Sequence, residues 1–207
     1  MFNKIILASQ SPRRVALLKQ IGITCLVMPA DIDETALPDE SPSDYVLRLA
    51  AQKAQAIVNK LAQQDSPDFK LPDLNLPALS LPILAADTTV ALGLQILGKP
   101  EHDVDAFNML RQLSGSVHQV HTAMAVAFNG KLETAINSTQ VEMMPLSDAM
   151  ISEYIASGEH KDKAGSYAIQ GLAGCWVKKI TGSYTGVMGL PLYETTLLLE
   201  KIGFCEN

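Results

Sequence analysis

Five short stretches of this chain carry residues that could hold a phosphate group and help to cleave it. The first, Ser9-Gln10-Ser11-Pro12-Arg13-Arg14, sets two adjacent guanidinium groups at the start of a helix. A helix N-terminus offers unpaired backbone N–H groups and the positive end of a dipole, and arginine forks add charge-assisted donors. The plain alternative is a solvated helix start, because Ser-Pro is common there. The second, Ala86-Asp87-Thr88-Thr89-Val90, puts a carboxylate at the end of an apolar strand, where ligands of α/β sheets collect. Asp87 could take a proton from water or hold a divalent cation there, or it could bond a neighbouring turn.

The third stretch, Gly98-Lys99-Pro100, fixes the backbone around one lysine, a point charge suited to phosphate, without the spacing of a P-loop. In the fourth, Asp162-Lys163-Ala164-Gly165 leads into Tyr167-Ala168-Ile169-Gln170-Gly171. Small residues let that loop approach a ligand, and the Gln170 amide can donate to and accept from a base edge. The fifth, Ile180-Thr181-Gly182-Ser183-Tyr184 with Val187-Met188-Gly189-Leu190-Pro191, is a glycine-rich turn feeding the last helix. His102, His118, His121 and His160 form no metalloprotease motif and no triad with a nucleophile elbow, so each is read as locally satisfied.

Strands and helices must bring these stretches together. Lys4 to Ala8 and Thr24 to Met28 read as short strands, with a helix between them capped by Ser11, started by Pro12 and ended by Gly22. Its apolar face is expected at Val15, Leu18 and Ile21. An acidic loop from Pro29 to Pro42 carries Asp31, Asp33, Glu34, Asp39 and Glu40. A second helix runs from about Ser43 to Leu61, and Val46, Leu49, Ala50, Lys53, Ala54, Ile57 and Leu61 lie on one stripe. Lys53 is an odd member of that stripe unless it points into a cleft. Ile83 to Ala91 reads as a central strand, with Leu94 to Gly98 returning beside it. Asp103 is expected to cap a helix ended by Gly115, and Asn129-Gly130 to turn a hairpin between His118 to Phe128 and Leu132 to Met143. A helix from Ser147 to Ser157, a strand from Cys175 to Ile180 and a helix from Pro191 to Ile202 complete a mixed α/β pattern.

Composition narrows the ligand. The chain of 207 residues is 47% hydrophobic and 18% charged, with a formal net charge of -6. That suits a single globular unit over 1–207 and gives a nucleic-acid backbone little to hold. Three cysteines, Cys25, Cys175 and Cys205, show no zinc spacing and no disulfide framework, as in a reducing cytoplasm. The start of the chain has no signal-like apolar region, and no stretch is long enough to span a bilayer. The segment at about 63–82, with leucines alternating with prolines, reads as an extended surface loop inserted in that unit.

Taken in order, SQSPRR, LRLAAQKA from Leu47 to Ala54, AADT, GKP, LSGSVHQVHTA, DKAGSYAIQG and SYTGVMGLPLYET resemble the Maf family of nucleotide pyrophosphatases over nearly the whole chain. The proline-rich segment is longer than the family usually shows. The resemblance implies a Maf/ITPase-like fold: a mixed, elongated, twisted sheet flanked by helices, in two lobes around a central cleft. It implies hydrolysis between the α- and β-phosphates of a nucleoside triphosphate with a divalent metal, magnesium or manganese. Matched position by position, Asp87 looks like the proton acceptor and Glu34 like a second acidic residue at the metal. Arg13, Arg14, Lys53 and Lys99 look like the phosphate-contacting cations, and Ser9 like part of the substrate site. Arg13, Thr88 and Gln170 match the dTTP- and UTP-preferring branch, whereas the methylated-GTP branch typically has Trp, Gln and Glu there. Neither a nucleic acid nor a membrane is implied as partner, and a homodimer is compatible with the pattern. Two alternatives stand beside this one: a purine or modified-purine triphosphatase, and a nucleotide-binding regulator of septum formation that does not turn its ligand over.

Overall fold

Ile5, Ile6 and Leu7 are fully buried, and they make β1 (Lys4–Leu7) the apolar inner strand its composition predicts. The structure is a computed structural model that describes residues 4–63 and 80–204. Residues 64–79 of the proline-rich segment, and Cys205, therefore lie outside the described residues; at its described ends Gln63 belongs to α2, and Leu81 and Pro82 are buried rather than on the surface. After β1 come α1 (Pro12–Gln20), β2 (Thr24–Val27) and the long α2 (Pro42–Gln63). Then follow β3 (Ile83–Leu92), β4 (Gln95–Leu97), α3 (Asp103–Leu113), β5 (Val117–Phe128) and β6 (Lys131–Met143). The chain closes with α4 (Asp148–Ser157), β7 (Val177–Thr181), α5 (Tyr184–Val187) and α6 (Leu192–Lys201).

The strands form one seven-stranded sheet in the order β2-β1-β3-β5-β6-β7, with β4 on β3. β1 pairs parallel with β2 and β3, and the other pairings are antiparallel. At 12 and 13 residues, β5 and β6 run about 40 Å and tie the two ends of the molecule together. One end packs α2 against one sheet face and α1 with α6 against the other. The other end wraps α3, α4 and Trp176 around Val90, Val120 and Val141. These are the two lobes, and the cleft lies between them.

Strand alternation decides what reaches the cleft. In β3, Ile83 and Ala85 face α2 while Leu84 and Ala86 face α1 and α6. Continued by one step each, Asp87 falls on the α2 side and Thr88 on the α1 side. One edge of β3 is paired by β5 from Ile83 to Ala91. Its other edge meets β1 at Ile83 and Leu84, and β4 from Val90 to Leu92. Residues between those two pairings sit in a notch in the sheet.

All seven residues of the α2 stripe are buried, Lys53 included. Asn129 and Gly130 turn the β5–β6 hairpin with φ of 49° and 74°, the left-handed pair that such a turn demands. Three local expectations are corrected. Asp103 does not cap α3: His102 does, its Nδ1 accepting from the Asp105 backbone N–H at 3.0 Å, and Asp103 is the first helical residue. The buried face of α1 is Leu17 and Leu18, whereas Ile21 is exposed past the helix end, because α1 stops at Gln20. Cys175 belongs to a short 3-10 turn, Leu172–Trp176, that anchors Trp176, and the strand begins only at Val177.

Ile57 is 1% exposed where α2 crosses the sheet, so Ile57→Ala is expected to cost roughly 2–5 kcal/mol of unfolding free energy through the cavity it leaves. Leu94, 84% exposed, should tolerate Ala within about 0.5 kcal/mol. Denaturant titration of the two variants beside the parent chain measures both.

Candidate active site

A cavity of about 810 Å³ opens at the notch. It takes Ser9 from the β1–α1 connection, Arg13 and Arg14 from the first turn of α1, Lys53 from α2, Asp87 and Thr88 from β3, Lys99 from the segment after β4, and Glu34 and Gln170 from loops. The structure thus brings all nine residues singled out from the sequence to one wall-to-wall site.

At its floor Lys53 Nζ lies 2.5 Å from Asp87 Oδ1 and 2.6 Å from Glu34 Oε1. Lys53 is 7% exposed, which explains a cation on an apolar stripe: the helix buries its stem and delivers the ammonium to two carboxylates. Burial raises the pKa of Asp87, against the opposing pull of Lys53 and Arg14, and the neighbouring Glu34 pushes it further up. For Glu34 burial also works upward, but its hydrogen bond to Lys53 and the charges of Lys53, Lys99 and Arg14 outweigh it and the net shift is downward. The two acids are therefore held in different conditions, Asp87 shifted upward and Glu34 downward. Lys99 stands 3.9 Å from Glu34, with most of its side chain open to solvent.

The acidic loop is fastened from α2. Tyr45 donates its hydroxyl to the Glu34 carbonyl at 2.9 Å, and burial, then Asp87 and Glu34, push its pKa up to about 12. Arg48 forks onto Glu40 at 2.6 and 2.7 Å and reaches the Thr35 carbonyl at 3.1 Å. Glu34 is presented by a loop clipped at both sides rather than by a free chain.

Arg14 plays a different part from the one expected of a pure phosphate ligand. Its Nε donates to the Gly189 carbonyl at 2.8 Å, Nη1 to Ser9 Oγ at 2.9 Å and Nη2 to Thr88 Oγ1 at 3.2 Å. Three of its five donors are thus committed to the protein, and two remain for a ligand. Arg13 and Lys163 both line the cavity and both have lowered pKa values, through burial first and, for Lys163, through the charge of Arg13 next. Sequence inspection missed Lys163, having assigned its stretch to small residues and Gln170. It also missed Tyr45, which bonds Glu34 across the loop before α2, and Tyr167, whose partner His118 lies 49 residues away. The cavity holds five Lys and Arg residues against three Asp and Glu, two positive charges in excess within an acidic protein. Such a local imbalance draws a polyanion.

Among the described residues no group of three or more His, Cys, Asp or Glu side chains stands ready to hold a metal. Glu34 and Asp87 nevertheless fit a hard divalent cation, which takes one or two carboxylates and completes its shell with water and phosphate oxygens. The histidines are structural, as expected. His118 Nε2 meets Tyr167 Oη at 2.7 Å, His121 Nδ1 meets Ser138 at 2.8 Å and His160 Nε2 meets Asp103 at 3.0 Å. None of the described helices is long and apolar enough to cross a membrane.

With this geometry in hand, the relatives of the chain are informative. The family described as Maf-like protein matches residues 4–202. A dTTP/UTP pyrophosphatase of Methylobacillus flagellatus is 49% identical over 201 residues, covering 97% of this chain and 94% of that protein. A nucleoside triphosphate pyrophosphatase of Haemophilus ducreyi is 44% identical over 202 residues, covering 98% and 96%. Among solved structures, the Staphylococcus aureus Ham1 protein aligns with a TM-score of 0.42 and 12% identity over 68% of this chain and 71% of that one.

The His118–Tyr167 pair links the far lobe to the cavity wall and has a pH signature. Burial lowers the His118 pKa from 6.5 to about 4. The unfolded chain therefore binds a proton that the folded one does not, so stability present above about pH 6.5 is lost as pH falls towards about 4. The loss should be on the order of 3 kcal/mol, and His118→Gln should abolish that part of it. Unfolding free energies of the two proteins across this range measure the difference.

Proposed function

The chain belongs to the Maf family, and from that premise we propose that it is a nucleoside triphosphate pyrophosphatase that hydrolyses dTTP and UTP to the monophosphate and pyrophosphate. The observation that carries this is the floor of the cavity, where a buried Asp87 shares Lys53 with Glu34 beneath a wall of further cations. Near relatives named dTTP/UTP pyrophosphatase support the choice of substrate.

Cleaving a phosphoanhydride needs charge neutralised on both phosphoryl groups and a base for the attacking water. Arg13, Lys99 and the two uncommitted donors of Arg14 hold the triphosphate. Lys53 orients the Asp87 carboxylate and limits its repulsion with Glu34. Asp87 accepts the proton of the attacking water as the bond between the α- and β-phosphates breaks and pyrophosphate leaves. A magnesium or manganese ion held by Glu34 and Asp87 would supply Lewis acidity to the phosphoryl oxygens. Thr88 and Gln170 line the same cavity, and we assign them to the base. The substrate is free nucleotide in the cytoplasm, with neither nucleic acid nor membrane as partner.

A regulator of septum formation that only binds nucleotide is less well supported, because phosphate binding alone gains nothing from Asp87. A purine-directed enzyme would keep the floor and change the base contacts.

Two measurements test the proposal. With magnesium or manganese, dTTP and UTP should release pyrophosphate far faster than GTP or 7-methyl-GTP; the reverse order overturns the choice of base and leaves the reaction standing. Asp87→Asn, isosteric but unable to take a proton, should lower kcat by ~10²–10⁴-fold or more while nucleotide still binds. Full turnover in that variant would remove Asp87 from the mechanism.

A further inference from the structure

Beneath Thr88 lies a residue that the site described so far does not use. Thr122, on β5 opposite Thr88, is fully buried. Its Oγ1 stands 2.8 Å from the Gly186 carbonyl oxygen and 2.9 Å from Thr88 Oγ1. A carbonyl oxygen can only accept, so the single hydroxyl proton of Thr122 is spent on Gly186. Between the two threonines the proton must then come from Thr88. Arg14 Nη2, itself a pure donor, fills one lone pair of Thr88 Oγ1 at 3.2 Å. Each hydroxyl donates once, and one lone pair of Thr88 is left.

The chain is built closely. Gly186 is tightly packed: a Cβ there would lie 2.8 Å from Asn137 Oδ1 and 3.2 Å from Ser183 Cβ, so a side chain would have to displace its neighbours. The circuit closes where Arg14 Nε meets the Gly189 carbonyl at 2.8 Å. Hydrogen bonds thus run from α1 through β3 and β5 to the α5 turn and back.

We infer that Thr122 is a positioning residue for base selection: it turns the Thr88 proton away from the cavity, so that Thr88 meets the substrate as an acceptor alone and takes the ring N–H of uracil or thymine. This rests on the proposed preference for pyrimidine triphosphates. Uracil and thymine carry an N–H between their two carbonyl groups, and cytosine carries a lone pair at that ring position. An acceptor that cannot reverse its polarity welcomes the first and repels the second.

UTP and CTP share ribose and triphosphate, so the ratio of their kcat/KM values isolates the base. The parent chain should prefer UTP. Thr122→Val keeps the shape, removes the acceptor and frees the Thr88 proton to turn, and the ratio should fall by at least ~10-fold, the size of one mismatched buried hydrogen bond. Thr122→Ser should restore it. A general loss of stability or activity lowers both substrates together and cancels in the ratio. A folded Val variant with the parent ratio, or a Ser variant that behaves like Val, overturns the inference. If the Val variant does not fold, Thr122→Cys takes its place: its weak thiol bonds should put the ratio below that of the Ser variant, and equality overturns the inference. A parent chain that treats UTP and CTP alike overturns the base preference itself, which is seen before any variant is made.

Discussion

One ammonium group organises the centre of this molecule. Lys53 Nζ touches Asp87 and Glu34 at 2.5 and 2.6 Å, and without it two carboxylates would face each other across a partly dry cavity. Removing one partner from a buried ion pair is costly, commonly about 3–5 kcal/mol, because the other charge stays behind. The fold is arranged around meeting that demand. The α2 stripe carries the lysine inward among Ala50, Ala54 and Ile57, and strand alternation turns Asp87 towards it. Tyr45 and Arg48, from the same helix, hold the loop that supplies Glu34. A single helix therefore sets the cation, one of its anions and the loop clip.

Electrostatics at a longer range follow from the same arrangement. The chain is acidic overall, yet its cavity carries an excess of cations that burial has weakened, as the lowered pKa values of Arg13, Arg14 and Lys163 record. Cations kept partly dry and near one another gain most when a polyanion enters.

Much of this was legible in the sequence, and the exceptions share a cause. Lys53 stood out because a charge interrupted an apolar period, and the Asn129-Gly130 turn because its backbone demands are local. The cap of α3 was misplaced because an aspartate is the usual acceptor and an imidazole is not, although His102 precedes it by one residue. Arg14 looked like a free phosphate ligand because its strongest partner, Gly189, lies 175 residues away. Lys163 and Thr122 matter through contacts between elements distant in the chain, and no periodicity reports those. The proline-rich segment was visible as an interruption, but its composition names no contact.

Asp87 and Thr88 are consecutive, yet the pleat of β3 sends them to opposite sides of the sheet, one to Lys53 and the other to Arg14. In the proposed function, bond breaking and base reading therefore fall to two structural neighbourhoods that share a single peptide link. Arg14 is the exception, because it touches Thr88 with one donor and keeps two others for the phosphates. An insertion or deletion of one residue in this strand, unless a bulge absorbs it, would swap the two sides and turn each side chain towards the wrong partners.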